Sequence, residues 1–181
     1  TMDTIAATEL LKENGSHVLA LVNVVGSSLA RMADSVFYLH VGPEIGVAST
    51  KAYLGMLVSQ LVIAKHWDAE NKLDVSFDEI AELPKLIDHT MACEGQIKEI
   101  SEKIYKKNDI YFIGRGLDYA LAAEGALKLK EISYLHAEAL AAGELKHGTL
   151  ALIEKGTPVI VTASQNHLLD KTTSNVQEVI A

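Results

Sequence analysis

The stretch Ile110-Tyr111-Phe112-Ile113-Gly114-Arg115-Gly116 decides the fold. Four consecutive apolar residues run into a glycine-bounded turn. Beyond it Ala122, Ala126, Leu129 and Ile132 recur at helical spacing. Continuous rather than alternating apolarity suits a strand covered on both faces, as in a parallel sheet. A strand that turns directly into a helix is the repeating step of an α/β architecture with right-handed crossovers.

The same step recurs outward from this stretch. Val18–Val22, Val36–Leu39 and Val159–Thr162 read as further short strands, each bounded by Gly, Asn, Asp or Pro. Helical spacing links Ile5, Leu10 and Leu11, then Tyr53, Leu57, Leu61 and Ala64. It recurs in Ile80, Leu83 and Ile87, in Ile97, Ile100 and Ile104, and in Leu168, Leu169, Val176, Val179 and Ile180. The region from 67 to 108 holds two of these patterns, many charges and Pro84, with no strand pattern. It predicts a helical connector, centred on residues 71–100, between an α/β unit over 1–70 and another over 101–181. One sheet with a long helical excursion is the alternative. The chain opens and closes on helical patterns, so a piece of a larger protein is expected.

Composition narrows the function. The chain has 181 residues, enough to bury a core without staples. Its formal net charge is −8, so it lacks the broad electrostatic term of nucleic-acid binding. Any anionic ligand must be held locally, as by a helix N-terminus. No apolar stretch is long enough to span a bilayer, so no membrane partner is expected. Cys93 is the single cysteine, which excludes an internal disulfide and any multi-cysteine metal site. A lone reduced thiol suits a cytoplasmic protein.

Four stretches could carry chemistry. Gly114-Arg115-Gly116 lies where backbone can approach a ligand, but it lacks the further glycine of a dinucleotide fingerprint. Gly42-Pro43-Glu44-Ile45-Gly46-Val47-Ala48-Ser49-Thr50-Lys51 opens a long helix, with Ser49 or Thr50 as its expected N-cap. Its backbone and hydroxyls could instead face a polyol. Glu124, Lys128 and Glu131, spaced i, i+4, i+7, share one helical face among apolar neighbours, and Gly125 beside them implies close packing or ligand approach. A carboxylate there is a candidate acid/base. His147, between Lys146 and Gly148 in an expected loop, is a second. His136 and Glu138 fall in an expected helix, where i, i+2 spacing splits them, so no metal is expected. No cofactor is implied.

The run Glu124-Gly-Ala-Leu-Lys-Leu-Lys-Glu-Ile-Ser-Tyr-Leu-His-Ala-Glu138, continued by Gly143-Glu-Leu-Lys-His-Gly148, resembles the glucosamine-6-phosphate synthase family. So do Glu44-Ile-Gly-Val-Ala-Ser-Thr-Lys51 and Thr1-Met-Asp-Thr4, in the right order. The resemblance covers essentially the whole chain. It implies an α/β fold of two sugar-isomerase (SIS) domains, both incomplete in this stretch, each a parallel sheet flanked by helices.

It also implies an activity: fructose 6-phosphate and glutamine-derived ammonia become glucosamine 6-phosphate. By matching position, Glu131 would move the proton between C1 and C2, Lys128 would line the site, and His147 of the neighbouring subunit would assist ring opening. Val47, Ala48 and Ser49 would contact the sugar, and Thr1 would close a phosphate-binding loop. The remaining phosphate loop, the imine-forming lysine and the glutaminase domain would lie elsewhere in the parent protein, so residues 1–181 alone are expected to be inactive. A homodimer is implied. Another SIS-domain isomerase or deglycase, or a sugar-phosphate sensor without turnover, are the alternatives.

Overall fold

The computed structural model describes residues 2–181. The chain divides into two compact units, Thr1–Met91 and Ala92–Ala181. Both are α/β with parallel strands.

In the first unit, α1 (Met2–Glu13) leads to β1 (Leu19–Val22), α2 (Ser28–Met32), β2 (Ser35–Tyr38) and α3 (Lys51–Trp67). The helices α4 (Phe77–Ala81) and α5 (Leu83–Met91) follow. β1 and β2 pair in parallel, with Leu19 opposite Ser35 and Val22 opposite Tyr38. Asp34 ties their starts to α1: it accepts from the Val18 N–H at 2.9 Å and pairs with Lys12 at 2.8 Å.

The buried residues of α3 are Ala52 and Ser59, one helical face. The stripe that helical spacing links, Tyr53, Leu57, Leu61 and Ala64, lies to one side, and Leu57 and Ala64 are exposed. Close approach decides this. A Cβ on Gly55 would stand 2.8 Å from Val41 Cγ1, so this glycine face is the one that can meet the strand ends.

The second unit is the more complete α/β layer. After α6 (Glu94–Ile104) come β3 (Asp109–Gly114), α7 (Leu117–Ser133), β4 (His136–Ala141), β5 (Val159–Val161) and α8 (Leu169–Ile180). Between β4 and β5 lie two 3-10 turns, Ala142–His147 and Thr149–Leu152, and a third, Asn166–Leu168, precedes α8. The sheet order is β4-β3-β5, all parallel.

β3 is central and covered on both faces, as its unbroken apolar run requires. Ile110 and Phe112 pack with Ala122, Ala126 and Ala137. Tyr111 and Ile113 point the other way and pack with Leu140, Ala142 and Leu145. Val176 and Val179 of α8 close that second cluster.

β4 corrects the expectation of helix through His136 and Glu138. Tyr134 adopts a left-handed conformation, with φ of 60°, and ends α7 without a glycine to announce the stop. The next six residues then pair with β3, from His136 opposite Asp109 to Ala141 opposite Gly114. On a strand, i and i+2 share a face, so the helical reason for separating His136 from Glu138 fails. Among the described residues no group of three His, Cys, Asp or Glu side chains could hold a metal.

Candidate functional site

Three stretches carry the candidate residues, one in the first unit and two in the second. In the first unit, the segment between β2 and α3 holds Val47, Ala48 and Ser49. Val47 is 90% exposed and Ser49 is half-buried. Thr50 occupies the N-cap position of α3, but its side chain makes no capping hydrogen bond to the helix. The expected Ser/Thr cap is replaced by a carboxylate. Glu44 Oε1 accepts from the Thr50 N–H at 2.9 Å, and the Ala52 N–H lies 3.5 Å from the same oxygen. Glu44 Oε2 accepts from the Ser49 hydroxyl at 2.9 Å.

These donors stabilise the ionised form. Led by the Thr50 N–H, they pull the Glu44 carboxyl down to about 2. The helix N-terminus thus gains a negative charge where its dipole favours one. Sequence reading placed Glu44 in the motif but missed its task. An acid six residues before a helix N-cap has no local signature; only the fold of the loop brings it back.

In the second unit, α7 carries the charged face that its spacing predicts. Lys128 Nζ lies 2.6 Å from Glu131 Oε2 and 3.3 Å from Glu124 Oε1. All three side chains are about three-quarters covered, at 22–25% exposure. Glu131 first, and then Glu124, hold the Lys128 ammonium above the usual lysine range, against the opposing effect of burial. Two carboxylates around one ammonium form a compact charged group on this face of α7. Gly125 sits on the next turn face, where a Cβ would stand 3.0 Å from the Phe112 ring. It is there for packing of α7 on β3.

His147 ends the 3-10 turn Ala142–His147 rather than lying in an open loop. Its side chain is 75% exposed, and Glu144 is 3.9 Å away. No hydrogen bond or ion pair among the described residues joins it to Lys128 or Glu131. Its turn is held from α8: Lys146 pairs with Glu178 at 2.8 Å, and the Asn175 amide donates to Glu178 at 3.2 Å. Arg115 donates to Asn175 Oδ1 at 2.9 Å, and its guanidinium lies against Gly143. The Gly114-Arg115-Gly116 turn therefore serves the protein itself. A Cβ on Gly114 would stand 2.4 Å from the Asp118 carbonyl oxygen, so the glycine lets α7 start directly over the strand end.

Asp118, in the first turn of α7, is 1% exposed and was not singled out by sequence. It accepts from the Ser164 hydroxyl at 2.6 Å, the Ser164 N–H at 2.9 Å and the Gln165 N–H at 3.3 Å. These bonds, the hydroxyl foremost, hold its carboxyl below the usual range despite burial. Acids are common in first helical turns, so nothing in the sequence distinguished this one. Thr1, the expected phosphate ligand, lies outside the described residues.

Parallel α/β units with a glycine turn at the strand end are the setting of the SIS domain. The SIS domain family profile matches residues 1–65 and 103–179, and the chain belongs to this family. Its relatives narrow the resemblance. The glutamine–fructose-6-phosphate aminotransferase [isomerizing] of Clostridium tetani is 48% identical over 99% of this chain, and that of Pyrococcus horikoshii is 49% identical over 98%. The chain spans about 30% of the length of these curated relatives. Among solved structures, the C-terminal domain of glucosamine-fructose-6-phosphate aminotransferase from Francisella tularensis superposes with a TM-score of 0.85. It is 40% identical, over 99% of this chain and 53% of that one. Among the described residues, no helix is long and apolar enough to cross a membrane.

Proposed function

We propose that this chain is the isomerase part of a glutamine–fructose-6-phosphate aminotransferase. It would take fructose 6-phosphate and glutamine-derived ammonia to glucosamine 6-phosphate, the entry to amino-sugar synthesis. The observation that carries this reading is the Lys128 ammonium held between Glu131 and Glu124 on one face of α7. An aldose–ketose proton shift needs a group that accepts a proton at one carbon and returns it at the next. Glu131 takes that role, with Lys128 beside it to stabilise charge on the neighbouring oxygen. The high identity to the aminotransferases supports it.

In this reading Val47, Ala48 and Ser49 contact the sugar through backbone and hydroxyl, and Thr1 belongs to the phosphate loop. His147 assists ring opening from the partner subunit of a homodimer; its exposure on a braced turn fits a residue that reaches outward. Residues 1–70 form the latter part of one SIS domain, 71–100 a helical connector, and 101–181 much of a second. A glutaminase domain of the parent protein supplies ammonia, and the protein is cytoplasmic. The test uses the full-length protein that carries this segment. Incubation with fructose 6-phosphate and glutamine is expected to yield glucosamine 6-phosphate and glutamate. Interconversion of a sugar phosphate with no nitrogen incorporated would replace this reading with a simple isomerase.

A further inference from the structure

We infer that Glu44 is a positioning residue that fixes the hydrogen-bond polarity of Ser49, so that Ser49 reads a donating hydroxyl on its ligand. The inference rests on the proposed contact between Ser49 and the sugar. The chemistry is one of lone pairs. An ionised carboxylate can only accept. The Ser49 hydroxyl therefore donates its single proton to Glu44 Oε2, 2.9 Å away. What remains for a ligand is the acceptor side of Ser49 Oγ. The arrangement is fixed from the other end as well. Glu44 Oε1 is held by the Thr50 N–H at 2.9 Å, and the Thr50 hydroxyl lies 3.3 Å from it. The carboxylate cannot turn away from Ser49 without releasing the start of α3.

Among the described residues, no other hydrogen bond ties the segment between Glu44 and Ser49. Ile45 is 95% exposed and Val47 nearly as much. Glu44 is thus the anchor that closes this loop back on the helix, and Ser49 is the one hydroxyl that it orients from Oε2. A sugar hydroxyl can donate or accept, but a fluorine in its place can only accept, and weakly. Acceptor facing acceptor is unfavourable, so the site as built discriminates against that replacement.

Glu44→Gln reverses the polarity. Its carbonyl oxygen remains for the Thr50 N–H, and its amide N–H₂ then faces Ser49 Oγ. Ser49 becomes the acceptor inside the loop and turns its own proton toward the ligand. The experiment measures binding of fructose 6-phosphate and its deoxyfluoro analogues, one hydroxyl replaced at a time, to the full-length protein. One analogue is expected to bind roughly tenfold more weakly than the parent sugar. Ser49→Ala is expected to abolish that discrimination, and Glu44→Gln to reduce it to within about threefold by raising affinity for the analogue. If Ser49→Ala flattens the discrimination and Glu44→Gln leaves it intact, the inference is overturned while the sugar contact stands. If Glu44→Gln weakens sugar and analogue by the same factor, the carboxylate is only a scaffold, and the inference is again overturned. If Ser49→Ala changes no ratio, the sugar contact itself is wrong, and the inference goes with it.

Discussion

Lys128 and Glu131 form an ion pair of 2.6 Å on α7, one turn apart, with Glu124 completing the group at 3.3 Å from the same nitrogen. The pair sits on a helix whose opposite face, through Ala122 and Ala126, is buried against β3. A packed helix is a rigid mount, and acid–base groups need one, since proton transfer depends on tenths of an ångström.

The first expectation concerns Glu131. In the full-length protein, Glu131→Gln keeps the shape of the side chain and its oxygen toward Lys128 but removes the proposed base. Turnover is expected to fall by about 10²–10⁴, while affinity for fructose 6-phosphate stays within a few-fold. Steady-state kinetics with direct ligand binding separates the two. Turnover near that of the unsubstituted protein would take Glu131 out of the chemistry.

A second expectation concerns assembly. If His147 serves the site of a partner subunit, an inactive Glu131→Gln protein and an inactive His147→Ala protein should complement each other. A mixed dimer then holds one site with both groups intact. Partial recovery of glucosamine 6-phosphate formation on mixing is the expected result. Mixed dimers that form, yet remain inactive, would mean that His147 and Glu131 act within one subunit.

Asp118 makes a stability prediction with a defined sign in pH. Its folded carboxyl lies below the usual range, held there chiefly by the Ser164 hydroxyl. A carboxyl with a depressed folded pKa binds fewer protons folded than unfolded. Its contribution is therefore complete above the unfolded value of about 4 and drains away as pH falls through the folded value. Asp118→Asn is expected to flatten the acid limb of a stability-against-pH curve measured by urea unfolding. Asp118→Ala, which strands the Ser164 and Gln165 donors, is expected to cost about 3–4 kcal/mol at neutral pH. An unchanged acid limb in Asp118→Asn would assign the acid sensitivity to other groups.

Gly114→Ala tests the turn that starts α7. The added Cβ meets backbone, at 2.4 Å from the Asp118 carbonyl oxygen and 2.7 Å from the Tyr119 nitrogen, so no side-chain rotation relieves it. The helix start must shift, carrying Asp118 away from Ser164. A loss of at least about 2 kcal/mol is expected in denaturant unfolding. A loss below about 0.5 kcal/mol would show that the turn has slack.

The α/β class, the parallel pairing and the charged face of α7 were legible in the sequence because each rests on local periodicity. An unbroken apolar run such as Ile110–Ile113 admits few alternatives to a doubly covered strand, and i, i+4, i+7 spacing by itself aligns Glu124, Lys128 and Glu131. The resemblance of the long motifs supplied the expected chemistry of those positions.

Three features were settled only by tertiary structure. The stretch of His136 and Glu138 is expected as helix, yet it becomes β4 because β3 offers an unpaired edge and Ala137 is small enough to lie beneath α7; β preference is largely a property of context. Glu44 replaces the expected Ser/Thr cap because the loop folds back by six residues, a distance that no local pattern encodes. Asp118 looks like any acid in a first helical turn until the segment after β5 brings Ser164 and Gln165 against it. Periodicity fixes which face a residue occupies. What that face meets depends on contacts between segments far apart in the chain, and there packing and hydrogen-bond satisfaction outweigh local preference.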